Sequence, residues 1–421
     1  MPNANLRTLI AALLLLVIAG LFLAAPWLGS RATILMVTQA VILACFAMAY
    51  NVLLGQTGLL SFGPAVYFGI GAFSALYAVN GISSGQLPLP LELVPLLAGG
   101  AGLVAALVFG LISLRSGQIA FAMITMGLAE LTHVFAMVFP SVFGGERGVS
   151  IDRMVENTLT GWGYGRPDEI YWLVLFWAVL SIATLAWLTR TPLGRLANAV
   201  RDNEQRVAFL GYSPARIRYL QFALSGLFSG LAGGLFALTY EIANADIFGL
   251  QTSAGVLIAA YVGGIGSVFG PALGAIVVTL LEFRLARATE AWLLYYGLIF
   301  MGIVMFAPQG LWGLLTGVPT AIGREGFAVW LTQRLKGLAL LLPGFVGGVL
   351  IVEMSSHRAN AYDPHLPMHL LGLDAFSPLN WVLALGLVAV SAALLLARRR
   401  QAGRRRRDGL TAGAALAGGA E

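Results

Sequence analysis

The chain has 421 residues, of which 58% are hydrophobic and 10% are charged, and its mean hydropathy is +0.84. Soluble globular domains carry about 25% charged and about 45–50% apolar residues, so this composition excludes an ordinary water-soluble fold. The net charge of +6 comes almost wholly from arginine. Seven arginines lie at 398–400 and 404–407, directly after an apolar segment, which indicates anchoring at an anionic lipid surface rather than nucleic-acid binding.

Apolar segments long enough, or nearly so, to cross a bilayer core about 30 Å thick recur along the chain. They lie near residues 9–28, 33–54, 64–80, 91–114, 119–139, 170–189, 218–240, 251–269, 271–283, 292–307, 338–352 and 379–397. The first exceeds the 7–15-residue core of a signal peptide, so we expect it to be retained. The sequence predicts an all-α polytopic membrane protein with ten to twelve transmembrane helices, several of them broken by Gly and Pro.

A glycine-rich break with polar neighbours follows the second apolar segment. Asn51, Gln56 and Ser61 cluster there, and the sequence SFGPA at 61–65 recurs loosely as SVFGPA at 267–272. Interrupted segments at corresponding places in two halves indicate a duplicated transporter with its pathway at the repeat interface. These polar groups either line a route for a small zwitterion or amide, or only satisfy the freed backbone of the broken helix.

An ionisable pair lies within the segment 119–139. Glu130 and His133 are spaced i, i+3, and an intramembrane carboxylate costs about 2.5–3.5 kcal/mol, so it usually faces a cavity or the bundle interior. We expect Glu130 to line the translocation pathway or to accept hydrogen bonds from a neighbouring helix. A single pair gives little support to a proton relay.

Arginine is distributed unequally between two connections. The segment 190–218 carries six arginines against two acids, whereas 140–170 carries three arginines against five acids. Because basic residues accumulate in cytoplasmic loops, the first segment is predicted to be cytoplasmic and the second to face outward. An even number of spans then places both termini in the cytoplasm.

The cytoplasmic segment is also predicted to form a short amphipathic helix. Asp202 and Asn203 are suited to cap it, Gly211 to end it, and Val207, Phe209 and Leu210 to form its apolar side. Such a helix either docks into a groove on a soluble partner or is a solvated connector.

Two glycine patterns, at 226/230/234 and 266/270/274, are each predicted to place three glycines on one helix face for close packing.

Residues 1–320 are interpreted as the transmembrane core and residues 321–421 as an extension. The extension is predicted to contain an interfacial helix at 324–336, two further transmembrane helices and the arginine-rich cytoplasmic tail.

No P-loop motif occurs, so any ATP must be held by a partner. The residue patterns predict neither a catalytic centre nor a metal site.

Four segments resemble the LivM-type permeases, the inner-membrane subunits of branched-chain amino-acid ABC importers. They are YNVLLGQTGLLSFG at 50–63 continuing to 73, GQIAFAM at 117–123 continuing to Glu130, RDNEQRVAFLG at 201–211 with the helix that follows, and FAPQGL at 306–311. The resemblance covers roughly residues 30–315. It departs from the family at Pro64, where a His is common.

The resemblance implies a type II ABC importer-like fold without a sheet, in the bacterial inner membrane. It also implies a role for the 201–211 segment in coupling to the ATPase, through Arg201, Asp202, Asn203, Glu204, Arg206 and Gly211. The implied partners are a second, LivH-like permease, two cytoplasmic ATP-binding subunits that hold ATP and Mg, and a periplasmic substrate-binding protein. Two alternatives stay open: an ABC permease for urea or short-chain amides, and a stand-alone ion-coupled secondary carrier.

Overall fold

The computed structural model describes residues 20, 22, 24, 26–27, 30–289, 291–307, 309–315, 343–358 and 377–393, and helices dominate this part of the chain. The principal helices are α1 (Arg31–Thr57), α2 (Pro64–Ser83), α3 (Val94–Ser113), α4 (Gln118–Val138), α5 (Pro167–Arg190), α6 (Pro192–Asp202), α7 (Glu204–Phe209), α8 (Pro214–Tyr240), α9 (Leu250–Gly263), α10 (Gly270–Ala288) and α11 (Trp292–Phe306). Helices also occupy residues 310–315, 343–358 and 378–393.

Six helices within the described residues are long and apolar enough to cross a membrane. They are α1, α2, α3 with the turn Leu91–Leu93 before it, α4, α5 and α8. The shorter apolar helices include α9 and Pro378–Ala393. The predicted interfacial helix at 324–336 and nearly all of the predicted span 9–28 lie outside the described residues, so the count of ten to twelve stays a prediction.

The chain between α4 and α5 contains short elements that the sequence did not predict. A one-turn helix, Pro140–Phe143, precedes strand β1 (Val149–Ser150), which pairs antiparallel with β2 (Ile242–Ala243). The expectation of a fold without any sheet is therefore wrong in this detail. The connection between α4 and α5 therefore folds back onto the end of α8. There the backbone N–H and C=O groups of β1 pair with those of β2, which directly follows α8.

Prolines and glycines set the helix boundaries. Pro64, Pro167, Pro192 and Pro214 lie at the first helical positions of α2, α5, α6 and α8, where the missing N–H has no intrahelical partner to lose. Gly58 ends α1 with a φ of 72° and donates its N–H to Leu54 O at 3.1 Å. These signals are why the predicted and observed boundaries of α1, α2, α5 and α8 agree to within a few residues, whereas α9 ends at Gly263, well before the predicted end at residue 269.

The centre of the bundle is a close contact between α3 and α8. A Cβ atom at Gly230 would lie 2.7 Å from Ala98 O and 2.8 Å from Gly102 Cα, so only glycine allows this approach. The predicted packing role of the 226/230/234 pattern is confirmed. The second pattern is wrong as stated, because Gly266 lies in the turn before α10 and does not share a helix face with Gly270.

The chain divides into two compact units. The first contains residues 1–283 and 298–317, and the second contains residues 284–297 and 318–421. Within the second unit, Glu353 is buried and accepts hydrogen bonds from the hydroxyls of Thr289 and Tyr295. The functional boundary predicted at residue 320 stays a prediction.

Candidate functional site

The first helix break, between Thr57 and Pro64, is held by hydrogen bonds from several helices. The Tyr50 hydroxyl donates to Ser61 O at 2.9 Å, and the Phe62 N–H donates to Thr125 Oγ1 at 3.2 Å. At the start of α2, the Ala65 N–H donates to Ser253 Oγ at 3.3 Å. Irregular backbone within a membrane must find partners inside the protein, and this break does so.

The second break, between Gly263 and Gly270, is closed by the segment that follows α11. Gly264 has a φ of 110° and Gly310 a φ of 66°, and a Cβ on either residue would overlap the backbone of the other segment. Both positions therefore need glycine. The Gln309–Gly310 part of the family-like sequence FAPQGL thus packs directly on the second break.

The two breaks meet at one turn of α1. Asn51 Nδ2 donates to Ser267 O at 3.2 Å, and a Cβ at Gly55 would lie 2.7 Å from Ile265 O. Asn51 and Gly55 lie one turn apart on α1, and both contacted carbonyls belong to the second break. The end of α1, which leads into the first break, therefore also contacts the second break.

The structure places three of the four predicted pathway residues at this junction and one apart from it. Asn51, Gln56 and Ser61 are all buried there, and Asn51 Oδ1 has no hydrogen-bond partner in the described part of the chain. Glu130 lies exposed on α4. Its neighbour His133 contacts Ala245 O through Nδ1 at 3.1 Å, and no hydrogen bond joins Glu130 to His133 among the described residues.

The predicted cytoplasmic helix is a pair of helices, α6 and α7. Asn203 caps α7, because its Oδ1 accepts the N–H of Arg206 at 2.9 Å, as the sequence predicted. Asp202 is instead the last residue of α6, so its predicted capping role is wrong. Gly211 follows α7 with a φ of 86°, a conformation that favours glycine.

An ion pair and a small apolar cluster fix the helix pair to the start of α8. Arg218 donates to both carboxylate oxygens of Glu204, at 2.9 and 2.8 Å, and the Arg218 side chain is only 16% exposed. Val207 is buried against Val200 and Ile217. The three residues predicted to form the apolar side of the helix therefore do not share one environment. Val207 is buried in this cluster, whereas Phe209 and Leu210 lie outside it and are 91% and 69% exposed.

Arg201 connects the helix pair to the first break. Its guanidinium donates a hydrogen bond to Gly55 O, and its aliphatic stem packs on Gly58, where a Cβ would lie 2.9 Å from Arg201 Cγ. Sequence reasoning placed Arg201 in a docking surface and missed this contact. Nothing local marks it, because the two partners are 146 residues apart.

Residues 32–308, well over half of the chain, match the family described as branched-chain amino acid transport system / permease component. This match contains both breaks and the α6–α7 pair. The chain belongs to this family. The resemblance to LivM-type permeases is thereby confirmed, and the permease is a multi-pass membrane protein.

Three relatives show how far the likeness extends. The permease is 28% identical over 334 residues to the high-affinity branched-chain amino acid transport system permease protein LivM of Escherichia coli K12, covering 74% of this chain and 77% of the relative. It is 27% identical to the probable LivM of Methanocaldococcus jannaschii, covering 63% and 84%. It is 23% identical to Escherichia coli K12 LivH, covering 57% and 80%. No solved structure matches the chain.

The other end of the permease, at the C-terminus of α8, is closed by residues 144–166. Arg153 donates to Tyr164 O at 2.6 Å and to Thr239 O at 2.9 Å, and so caps α8. The Tyr164 hydroxyl donates to Glu92 at 2.9 Å, and burial raises the pKa of Tyr164 to about 12. The phenol therefore stays a hydrogen-bond donor to Glu92 at physiological pH.

Proposed function

We propose that this permease is the non-catalytic membrane subunit of an ABC importer of branched-chain or related hydrophobic amino acids, driven by ATP hydrolysis in partner subunits. The observation that carries the proposal is the similarity to LivM over about three quarters of both chains. The partners are a second, LivH-like permease, two cytoplasmic ATP-binding subunits and a periplasmic substrate-binding protein. The assembly lies in a bacterial inner membrane and has a type II importer-like fold.

The charge distribution supports an orientation for the permease. The end that carries α6 and α7 is rich in arginine, whereas the segment 140–170 at the other end carries five acids against three arginines. Basic loops favour the cytoplasm, so α6 and α7 face the cytoplasm and the 144–166 surface faces the periplasm. Both termini are then cytoplasmic.

The tip of α7 has the properties of a docking element for an ATP-binding subunit. Phe209, Leu210 and Tyr212 are exposed large side chains at the far end of a helix pair that is otherwise fixed by Glu204 and Val207. An anchored helix with exposed apolar residues suits an apolar groove on a partner. ATP and Mg are held by that partner.

The junction of the two breaks forms the closed cytoplasmic end of the pathway in this conformation. Asn51, Gln56 and Ser61 supply uncharged polar groups there, which satisfy broken backbone and offer hydrogen bonds without holding a zwitterion tightly. Glu130 belongs to the exposed face of α4, which a second permease would cover. Glu130 then lines the cavity between the two permeases.

The two alternatives receive no support. The relatives described above are branched-chain amino-acid permeases, which does not favour urea or short-chain amides as cargo. A stand-alone carrier would not belong to a family described as the permease component of a transport system.

The test is reconstitution of the complex purified from its native membrane in proteoliposomes, with ATP on the cytoplasmic side and the binding protein on the other. We expect uptake of labelled leucine that requires ATP and is competed by isoleucine and valine but not by excess urea or acetamide. A complex whose partner ATPase carries a substituted P-loop lysine is the control, and it should be inactive. Uptake that is independent of ATP, or competition by urea, would overturn the proposal.

A further inference from the structure

We infer that Arg201 is a positioning residue that couples α6 to the junction of the two helix breaks, and that it is not a contact for the ATP-binding subunit. The inference rests on the proposed function, because it takes α6 and α7 to be the elements that ATP-driven movement displaces. In this role Arg201 transmits the movement of α6 to Gly55.

The carbonyl of Gly55 is one of the groups that a helix end leaves for outside partners. The last four carbonyls of an α-helix lack the N–H groups that would continue the ladder. In α1, Leu54 O accepts the Gly58 N–H at 3.1 Å, and Leu53 O accepts the Leu59 N–H at 3.4 Å. The Gly55 carbonyl lies beyond the carbonyls that these two hydrogen bonds satisfy, and it accepts its hydrogen bond from Arg201.

Charge and shape both suit Arg201 to this position. A cation is favourable at the negative end of a helix dipole, and a guanidinium forms stronger, charge-assisted hydrogen bonds to a carbonyl. The stem of the side chain packs where Gly58 has no Cβ, so the glycine that ends α1 also makes room for the arginine. Asp202 approaches Arg201 Nε at 3.5 Å, but both side chains are substantially exposed, and this pair is weak.

The turn of α1 that receives this hydrogen bond is the turn that holds the second break. Gly55 abuts Ile265 O, and Asn51, one turn earlier, donates to Ser267 O. A displacement of α6 that pulls on Gly55 therefore acts on both breaks at once. The ion pair of Glu204 with Arg218 and the contact of Val207 with Ile217 lead instead to α8.

The test separates transmission from docking by comparing Arg201→Ala with Arg201→Lys and with Arg195→Ala. Arg195 lies exposed on the same helix, so its substitution removes the same charge without touching α1. In the reconstituted complex we expect Arg201→Ala to retain the ATP-binding subunit and its ATP hydrolysis while leucine transported per ATP falls about tenfold, the order expected for one charge-assisted hydrogen bond. Arg201→Lys should recover part of this loss, and Arg195→Ala should match the parent.

A second measurement is independent of transport. Hydrogen–deuterium exchange of the detergent-solubilised complex should be faster at residues 53–60 in Arg201→Ala and unchanged there in Arg195→Ala. Unchanged exchange at 53–60 would overturn the inference, and so would loss of the ATP-binding subunit from Arg201→Ala, which would make Arg201 a docking contact. Absence of ATP-dependent leucine uptake by the parent complex would instead contradict the proposed function, with the exchange result still deciding the role of Arg201.

Discussion

The side-chain amide of Asn51 donates to the backbone carbonyl of Ser267 across 3.2 Å, although the two residues are 216 positions apart. Asn51 lies near the end of α1, about two turns before the first break, and Ser267 lies within the second break. This hydrogen bond and the contact between Gly55 and Ile265 O hold the second break against the end of α1, which leads into the first break. The closed junction depends on a donor at position 51 and on the absence of a side chain at position 55.

Substitution of Asn51 by Asp should weaken the junction. Aspartate has nearly the same shape but presents only acceptors when ionised, so the Ser267 carbonyl would lose its donor and face a negative charge. A buried group left unsatisfied costs about 1–3 kcal/mol. We expect a lower unfolding temperature of the complex in detergent and reduced leucine uptake. Asn80→Asp, at an exposed position of α2, is the matched control, and equal unfolding temperatures for the two variants would contradict the role given to Asn51.

Substitution of Gly55 by Ala should separate the two breaks. The new methyl group would lie 2.7 Å from Ile265 O and would also overlap the Asn51 side chain, so either the second break or the Asn51 rotamer must shift. We expect uptake to fall more than ATP hydrolysis does. Gly100→Ala is the control, because nothing lies within 4 Å of its added Cβ and alanine favours a helix over glycine by about 1 kcal/mol. Uptake by Gly55→Ala equal to that of Gly100→Ala would refute the close-contact argument.

The Glu204–Arg218 pair should behave as a unit. Arg218 is largely buried, and its Nε has no partner within the described part of the chain, so removal of Glu204 leaves a poorly solvated charge. We expect Glu204→Arg to release α7 and to lower both co-purification of the ATP-binding subunit and leucine uptake. Arg218→Glu should do the same, and the double exchange should restore part of both. A double variant that is no better than either single variant would show that the pair does not act through its mutual ion pair.

Phe209 should matter for assembly and not for folding. Its side chain is 91% exposed, so Phe209→Ala removes little packing within this chain. Exposed aromatic residues at the centre of an interface are typical binding hot spots, with losses of about 2 kcal/mol or more on truncation. We expect the variant to keep its unfolding temperature as an isolated subunit and to lose the ATP-binding subunit on purification. Val104→Ala, at another exposed apolar position, is the control, and retention of the ATP-binding subunit by both variants would exclude Phe209 as a docking residue.

Local signals account for most of what the sequence predicted correctly. Gly58 and Pro64 mark the first break, and Asn203 marks the start of α7, because turn and cap preferences act within a few residues. The long-range contacts had no such signal. The hydrogen bond from Arg201 to Gly55 and the covering of the second break by Gly310 depend on how helices pack, which residue spacing does not encode.

The glycine contact between α3 and α8 should contribute stability to the bundle, separately from transport. A methyl group at Gly230 would lie 2.7 Å from Ala98 O and 2.8 Å from Gly102 Cα, both of them backbone atoms that cannot rotate away. Overpacking of this kind typically costs about 1–3 kcal/mol, so Gly230→Ala should lower the unfolding temperature measured in detergent. Gly100→Ala on α3 has open space around the added methyl group and should leave that temperature unchanged or raise it. A Gly230→Ala subunit as stable as Gly100→Ala would mean that the two helices can move apart without loss, and that their close approach does not stabilise the fold.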